Sequence, residues 1–169
     1  ELLQETLDGL EELSALVSDV VELARDEEPS VLLEDVRLDE IVERAAARAR
    51  AYWPRVHFHV DVEPAVVRGV PDRLTRAVAN LLDNAGKYSP AGGVVEVRLR
   101  GGELTVRDHG PGIAEEDLPY VFDRFYRAPS ARSMPGSGLG LAIVRQVVEG
   151  HGGTVAAGNA PGGGTVVRM

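Results

Sequence analysis

From Val31 onward the hydrophobic pattern switches repeatedly between a period of two and a period near 3.6 residues, and this alternation restricts the fold more than any other feature of the chain. Val31 to Leu38 suits a strand, and Asp39 is the candidate cap of a helix that runs to about Tyr52, before Pro54 stops it. Val56 to Val62 and Val66 to Val70 alternate like strands, and Pro71-Asp72 then opens a helix expected to reach about Lys87. Val94 to Arg100 and Glu103 to Asp108 read as two strands joined across Gly101-Gly102, a hairpin signal. Short helices are expected near Glu115 to Arg127, followed by a loop to Gly138 and a helix from about Leu139 to Glu149. Strands at Thr154 to Ala157 and Gly164 to Met169 end the pattern. Strands that can bury one face, with three main helices to cover it, imply an α/β two-layer sandwich with a mixed sheet. At 169 residues there is room for one such domain and one extra element.

The extra element comes first. Leu3, Leu10, Val17 and Ala24 recur every seven residues, with Thr6, Leu13 and Val20 interleaved, so residues 1–26 read as one long amphipathic helix. Leu7, Leu16 and Leu23 broaden the stripe beyond a two-stranded seam, which favours a helix bundle with a partner outside this chain over packing on the chain's own domain. Glu27-Glu28 and Pro29-Ser30 end the helix and open a linker. The formal charge of −9 is local, since Glu1 to Glu28 hold ten acidic side chains against Arg25 alone while the remainder is neutral. An acidic arm on a neutral domain argues against nucleic-acid binding. The absence of cysteine removes disulfides and thiolate metal sites. No apolar run approaches 18 residues, so the chain reads as a soluble piece, and its start within a helical pattern suggests a longer parent.

Chemistry concentrates in a few short motifs. In the helix after Pro71, Leu74, Val78, Leu81 and Ala85 share one face and are expected to pack on the sheet, whereas Asn80, Asn84 and Lys87 share another. Asn is a poor helix former, so two within one helix need a reason. Solvent exposure is one; the other is a Mg²⁺–polyphosphate ligand, with amide oxygens for the hard cation and an ammonium group for phosphate. Lys87 is the sole lysine among 18 basic residues, which marks it as a position where Arg does not serve. Leu104, Val106 and Asp108 share a strand face by period two, so the Asp108 carboxylate points to the apolar side and needs a donor. An adenine amino group is one candidate and a buried backbone or Arg donor the alternative; Gly110 and Gly112 permit turns and close approach to a flat ring. Gly136-Ser137-Gly138-Leu139-Gly140-Leu141 opens a helix, and free amides there make an anion site unless the segment is merely a loop. Phe122 to Arg127 mixes aromatics with Arg, and Phe122 and Phe125 are expected to pack beneath a mobile segment that ends near Gly138. Gly162-Gly163-Gly164-Thr165 leads into the last strand and also fits a hairpin turn.

Taken together, these stretches resemble the sensor histidine kinases. Asn80 to Tyr88 is similar to that family's N box, Asp108 to Ile113 to its G1 box, Phe122 to Arg127 to its F box, Gly136 to Leu141 to its G2 box, and Gly162 to Thr165 to its G3 turn. They occur in the family's order across residues 31–169. The resemblance implies the Bergerat, or GHKL, ATP-binding sandwich, with ATP and Mg²⁺ as ligands. It implies that Asp108 accepts from the adenine amino group, Ile113 packs on the ring, and Tyr88 stacks or offers its hydroxyl. Asn84 is then the first choice for Mg²⁺ and Asn80 the second; Lys87 and Arg127 neutralise phosphate, and the amides of Gly138 to Leu141 hold the terminal phosphates. Phe122, Gly136 and Thr165 are carried over as further nucleotide-site residues.

Two departures stand out. Gly86 lies inside the N-box helix and is expected to loosen its last turn. No histidine occupies a phosphoacceptor context, since His57 and His59 fall in a strand, His109 in the G1 box and His151 after the G2 helix. Residues 1–28 resemble the second helix of the family's dimerisation and phosphoacceptor bundle, so the acceptor imidazole is expected from a helix outside this chain. The implied partners are that bundle, homodimeric in the parent, and a cognate response regulator; the implied setting is a cytoplasmic domain of a plasma-membrane sensor. Gyrase-, chaperone- and mismatch-repair-type ATPases carry Glu where this chain has Asn80, and Asn cannot act as a general base. An anti-sigma-type serine kinase and a non-catalytic nucleotide-sensing module are the remaining alternatives.

Overall fold

The computed structural model describes residues 2–24, 32–131, 134 and 136–169. In chain order these form α1 (Leu2–Ala24), β1 (Glu34–Arg37), α2 (Leu38–Tyr52), β2 (His57–Val62), β3 (Val66–Gly69), α3 (Pro71–Tyr88), β4 (Val94–Arg100), β5 (Glu103–Arg107), α4 (Gly140–Gly150), β6 (Ala156–Asn159) and β7 (Thr165–Arg168). The linker expected at Glu27 to Ser30 lies outside the described residues, as do Arg132, Ser133 and Pro135 of the expected mobile segment. Among the described residues no helix is long and apolar enough to cross a membrane.

The main sheet has five strands in the order β2-β4-β5-β7-β6, with β2 and β4 parallel and the remaining neighbours antiparallel. Its inner face carries Phe58, Val95, Val97, Leu99, Leu104, Val106 and Val167, all buried. Helices α2, α3 and α4 cover that face, so the mixed two-layer sandwich is present. The sequence placed every strand in one sheet, and here it differs: β1 and β3 form a separate antiparallel pair. The short helices expected between Glu115 and Arg127 reduce to one 3₁₀ turn, Leu118–Tyr120, and a second such turn spans Pro129–Ala131.

Asp39 does not cap α2. The N-cap position belongs to Arg37, and Asp39 sits buried in the first turn, where its carboxylate accepts from Arg37 Nε at 3.0 Å and Nη2 at 2.6 Å and from the Ala65 amide at 3.2 Å. The Arg37 guanidinium holds the Asp39 carboxyl well below the usual carboxylate range. This cluster ties the start of α2 to the loop between β2 and β3.

The C-terminal end of α1 leans on α4. Leu23 is buried there, Gln146 Nε2 reaches the Leu23 carbonyl at 3.5 Å, and Arg76 of α3 pairs with Asp19 at 2.6 Å. Leu10, Leu13, Val17, Val20 and Val21 remain exposed on the same helix. Among the described residues, the ties of α1 to the domain through Ser18, Asp19 and Leu23 lie at its C-terminal end.

Gly86 does not loosen α3, which continues through it to Tyr88 and closes with the Ser89 amide bonded to the carbonyls of Ala85 and Gly86. Its role is spatial. A Cβ on Gly86 would lie 2.5 Å from Trp53 Cδ1 and 2.7 Å from Cγ, so the indole at the end of α2 rests directly on the bare helix backbone. Replacing Gly by Ala inside a helix ordinarily gains about 1 kcal/mol in propensity. Overpacking a fitted aromatic contact costs about 1–3 kcal/mol, and the larger figure decides the sign. Gly86→Ala is therefore expected to lower stability by about 1 kcal/mol in urea unfolding; an unchanged or raised midpoint would show that Trp53 moves aside freely.

Candidate nucleotide site

Helix α3 presents two different faces. Leu74, Val78, Leu81 and Ala85 are buried against the core as their spacing requires, while Asn80, Asn84 and Lys87 are half-buried on the other side. Facing them is the segment that opens α4. Asn80 Nδ2 approaches the Gly140 carbonyl at 3.4 Å, a long contact, and among the described residues nothing hydrogen-bonds the Asn84 amide. A Cβ on Gly136 would meet Lys87 Nζ at 2.6 Å, so the ammonium lies against the glycine segment, and it also stands 5.2 Å from the centroid of the Tyr88 ring. Burial pushes the Tyr88 phenol up, and the nearby Arg127 guanidinium offsets part of that rise.

Asp108 lies one residue past β5 and is buried, with 4% of its surface exposed. Its Oδ1 accepts from the Gly110 amide at 2.8 Å and from the Thr165 amide at 3.1 Å, while its own amide donates to the Thr165 carbonyl at 2.9 Å. The backbone donors expected as the alternative to adenine are thus present, yet both meet one oxygen. Among the described residues no donor meets Oδ2. Thr165 is itself buried, and it contributes through its backbone.

Glycines let the surrounding chain close in. Gly164, at φ +85°, has space for no side chain, since a Cβ would lie 2.0 Å from the Asp108 carbonyl oxygen. The run from Gly162 is a hairpin turn, with Ala160 N bonded to Gly164 O at 2.9 Å, and its last glycine presses on the Asp108 backbone. Gly110 abuts the Tyr88 carbonyl, where a Cβ would come within 2.3 Å, and this joins the Asp108 loop to the end of α3. Gly112 lies against Asn159, whose amide holds both the N–H and the C=O of Ile113, at 2.8 and 2.7 Å.

The aromatic segment meets the glycine segment edge to edge. Phe125 N donates to the Gly138 carbonyl at 3.1 Å, and a Cβ on Gly138 would lie 2.9 Å from Tyr126 O. Phe122 is half-buried against the core, but Phe125 is 63% exposed with a left-handed φ of +61°, contrary to the expectation that both pack inward. Arg127 turns toward its own loop, donating to the carbonyls of Ala131, at 2.8 Å, and Met134. Leu139 is fully buried and offers only its amide, which donates to Ser137 Oγ at 3.2 Å. Leu141 packs partly on the core, so it too is available through its backbone, and with Gly140 it supplies first-turn amides that no helix can satisfy internally.

The structure thus sets Gly136 and Gly140 against Lys87 and Asn80, and joins the Asp108 loop through Gly110 to Tyr88 at the end of α3, with Gly112 and Ile113 held farther along that loop by Asn159. Phe122 lines a different, open cleft of about 380 Å³ together with Arg145 and Gln146 of α4. Sequence reasoning missed Asn159, which reads only as a turn former before Pro161-Gly162, and Ser137, which disappears into the glycine run. It also missed Asp117, which accepts the Tyr126 hydroxyl. Among the described residues no three His, Cys, Asp or Glu side chains converge as a metal cage.

A mixed sheet, a helix with paired asparagines and a lysine, and a glycine segment at a helix start define a class. The chain belongs to the histidine kinase-, DNA gyrase B-, and HSP90-like ATPase family, which it matches over residues 69–169. Within it the chain is 49% identical to the signal transduction histidine-protein kinase/phosphatase MprB of Mycobacterium avium (strain 104), over 96% of this chain and 33% of that protein. It is 51% identical to the MprB of Mycobacterium sp. (strain KMS), over 90% of this chain and 32% of that protein, so it spans about a third of these relatives. Among solved structures, the mycobacterial sensor histidine kinase MprB superposes with a TM-score of 0.76 at 46% identity, covering 80% of this chain and 95% of that one. The ATP-binding domain of PrrB from Mycobacterium tuberculosis, a likeness the motif order also suggests, superposes at 0.65 with 28% identity, over 81% and 94% of the two chains.

Proposed function

We propose that this chain is the ATP-binding and phosphotransfer domain of a two-component sensor histidine kinase, acting on a histidine carried by a bundle helix outside these residues. The observation that carries the reading is the one-sided Asp108 carboxylate, with Oδ1 engaged by two backbone amides and Oδ2 left for a donor from the base. The relatives named as histidine-protein kinases support the transfer step.

In this reading the adenine amino group donates to Asp108 Oδ2 and Ile113 packs on the ring, with Tyr88 beside it. The half-buried amides on α3 suit Mg²⁺: Asn84, and then Asn80, would hold the cation together with phosphate oxygens. Mg²⁺ when bound neutralises phosphate charge. Lys87 sets a compact positive charge at the phosphates, and the amides of Gly138 to Leu141 hold the terminal groups. Arg127 joins them once it leaves the loop carbonyls. The acceptor imidazole nitrogen forms a bond to the γ-phosphorus as the bond to the β–γ bridging oxygen breaks, and ADP departs. Positioning and charge stabilisation suffice for this transfer, and no residue here need act as a base toward water. Asn80 in place of a general base favours phosphotransfer over hydrolysis.

The parent is proposed to be a homodimeric plasma-membrane sensor that passes its phosphoryl group to a response regulator. Exposed Leu10, Leu13 and Val17 on α1 would face the other helices of the bundle. Residues 1–28 would then be bundle and 31–169 the catalytic domain.

The chain's own histidines are otherwise engaged or exposed on β2. His109 Nε2 lies 3.1 Å from Glu96 Oε1, and His151 takes the Val70 amide on Nε2 at 3.0 Å while Nδ1 lies 2.6 Å from the Val147 carbonyl. Incubated with labelled ATP and Mg²⁺, the chain alone is expected to gain no acid-labile, alkali-stable phosphate. A supplied helix pair bearing a histidine should become labelled. Labelling of the chain itself, or of neither, would contradict the proposal.

Lys87→Arg tests the phosphate contact. The ammonium lies against Gly136, where a longer planar guanidinium does not fit without moving the glycine segment. ATP affinity should fall well beyond twofold, a change of roughly 0.4 kcal/mol; affinity within that margin would make Lys87 an ordinary surface charge.

A further inference from the structure

The loop from Asp108 to Ile113 is rich in glycine, and ordering such a loop before a ligand arrives carries an entropic cost. It is nevertheless held at both ends by the same hairpin. At its start, the Thr165 amide of β7 donates to Asp108 Oδ1 at 3.1 Å. At its far end, the last residue of β6 takes over: Asn159 Oδ1 accepts from Ile113 N at 2.8 Å, and Asn159 Nδ2 donates to Ile113 O at 2.7 Å. Asn159 and Thr165 are directly opposed in the β6–β7 register, so the two attachments sit on neighbouring strands. Gly112, at φ +76°, brings the loop so close that a Cβ there would lie 2.8 Å from Asn159 Oδ1.

We propose that Asn159 is a positioning residue for base recognition: its side-chain amide clamps the Ile113 backbone and fixes the part of the loop that lies against the base. The inference rests on the ATP reading above and deepens it. A primary amide is the right group for this task, because a backbone N–H demands an acceptor and a backbone C=O demands a donor at the same place. Asp matches Asn in shape and keeps the acceptor, yet it turns the donor into a second oxygen facing the Ile113 carbonyl. Serine is too short to span both groups. A residue that served only the hairpin turn would affect every ligand alike through stability. A residue that sets the base loop must affect the nucleotide and spare the phosphate site, because the phosphate groups of the reading lie on α3 and at the start of α4.

The test compares ATP with inorganic tripolyphosphate, both with Mg²⁺, on the unaltered chain, Asn159→Asp and Asn159→Ser. Asp loses the bond to the Ile113 carbonyl and sets an oxygen against it, and Ser loses at least one of the two bonds; either change corresponds to about a tenfold weaker ATP affinity. Both variants are expected to show that loss, with tripolyphosphate affinity within about twofold of the unaltered chain. Unchanged ATP affinity in both variants overturns the inference, as does an equal loss for the two ligands. Failure of the unaltered chain to bind ATP overturns the ATP reading itself, a result distinct from normal binding with indifferent variants.

Discussion

Asp108 Oδ1 accepts two amide hydrogens, one from Gly110 two residues ahead and one from Thr165 on the neighbouring strand, and much of the site depends on this one atom. A buried carboxylate is costly unless hydrogen-bonded, and backbone donors on a sheet satisfy it without adding a charge that would compete for a ligand. Because both donors meet the same oxygen, the carboxylate is fixed in orientation while Oδ2 stays open. The glycine at position 164 is what allows the approach, since any side chain there would collide with the Asp108 carbonyl. Asn159 then extends the same support along the loop, so the β6–β7 hairpin acts as a backing plate for residues 108–113.

Helix α3 links this loop to the groups proposed to meet phosphate. One face is sealed against the core by Leu74, Val78, Leu81 and Ala85, and rigid burial of that face fixes where Asn80, Asn84 and Lys87 stand on the other. Its two ends are both tied down. The Val70 amide at the N-cap is held by His151 at the end of α4, and Gly110 packs on the Tyr88 carbonyl at the C-terminal end. These ties lie away from the proposed phosphate position and hold α3 against the end of α4 and the Asp108 loop, which suits a site working by positioning.

Most of the sandwich was legible because its elements carry strong periodicity: the buried faces of α3, β4 and β5 are the ones their spacing indicates. What the sequence concealed was tertiary in origin. Asp39 has the composition of a helix cap, but Arg37 and the Ala65 amide claim its carboxylate. Gly86 looks like a weak point in a helix until Trp53, distant in sequence, is seen resting on it. The separate pairing of β1 with β3 is invisible to periodicity, which reports that a strand exists and not which neighbour it finds. In the site, the motif residues on α3 and the Asp108 loop could be read as a set because their order resembles that of the family's boxes. Asn159 could not, since an Asn before Pro-Gly is ordinary turn composition and its partner, Ile113, lies 46 positions away.

The central claim is that the open oxygen of Asp108 recognises the amino group of adenine. Titration of the chain with ATP and with inosine triphosphate, under the same Mg²⁺ and salt conditions, tests it directly, because inosine places a carbonyl where adenine has its amino donor. The account predicts that ATP binds at least about tenfold more tightly, a difference near 1.4 kcal/mol, because two oxygens would otherwise face each other in a buried place. Equal affinity for the two nucleotides would contradict it.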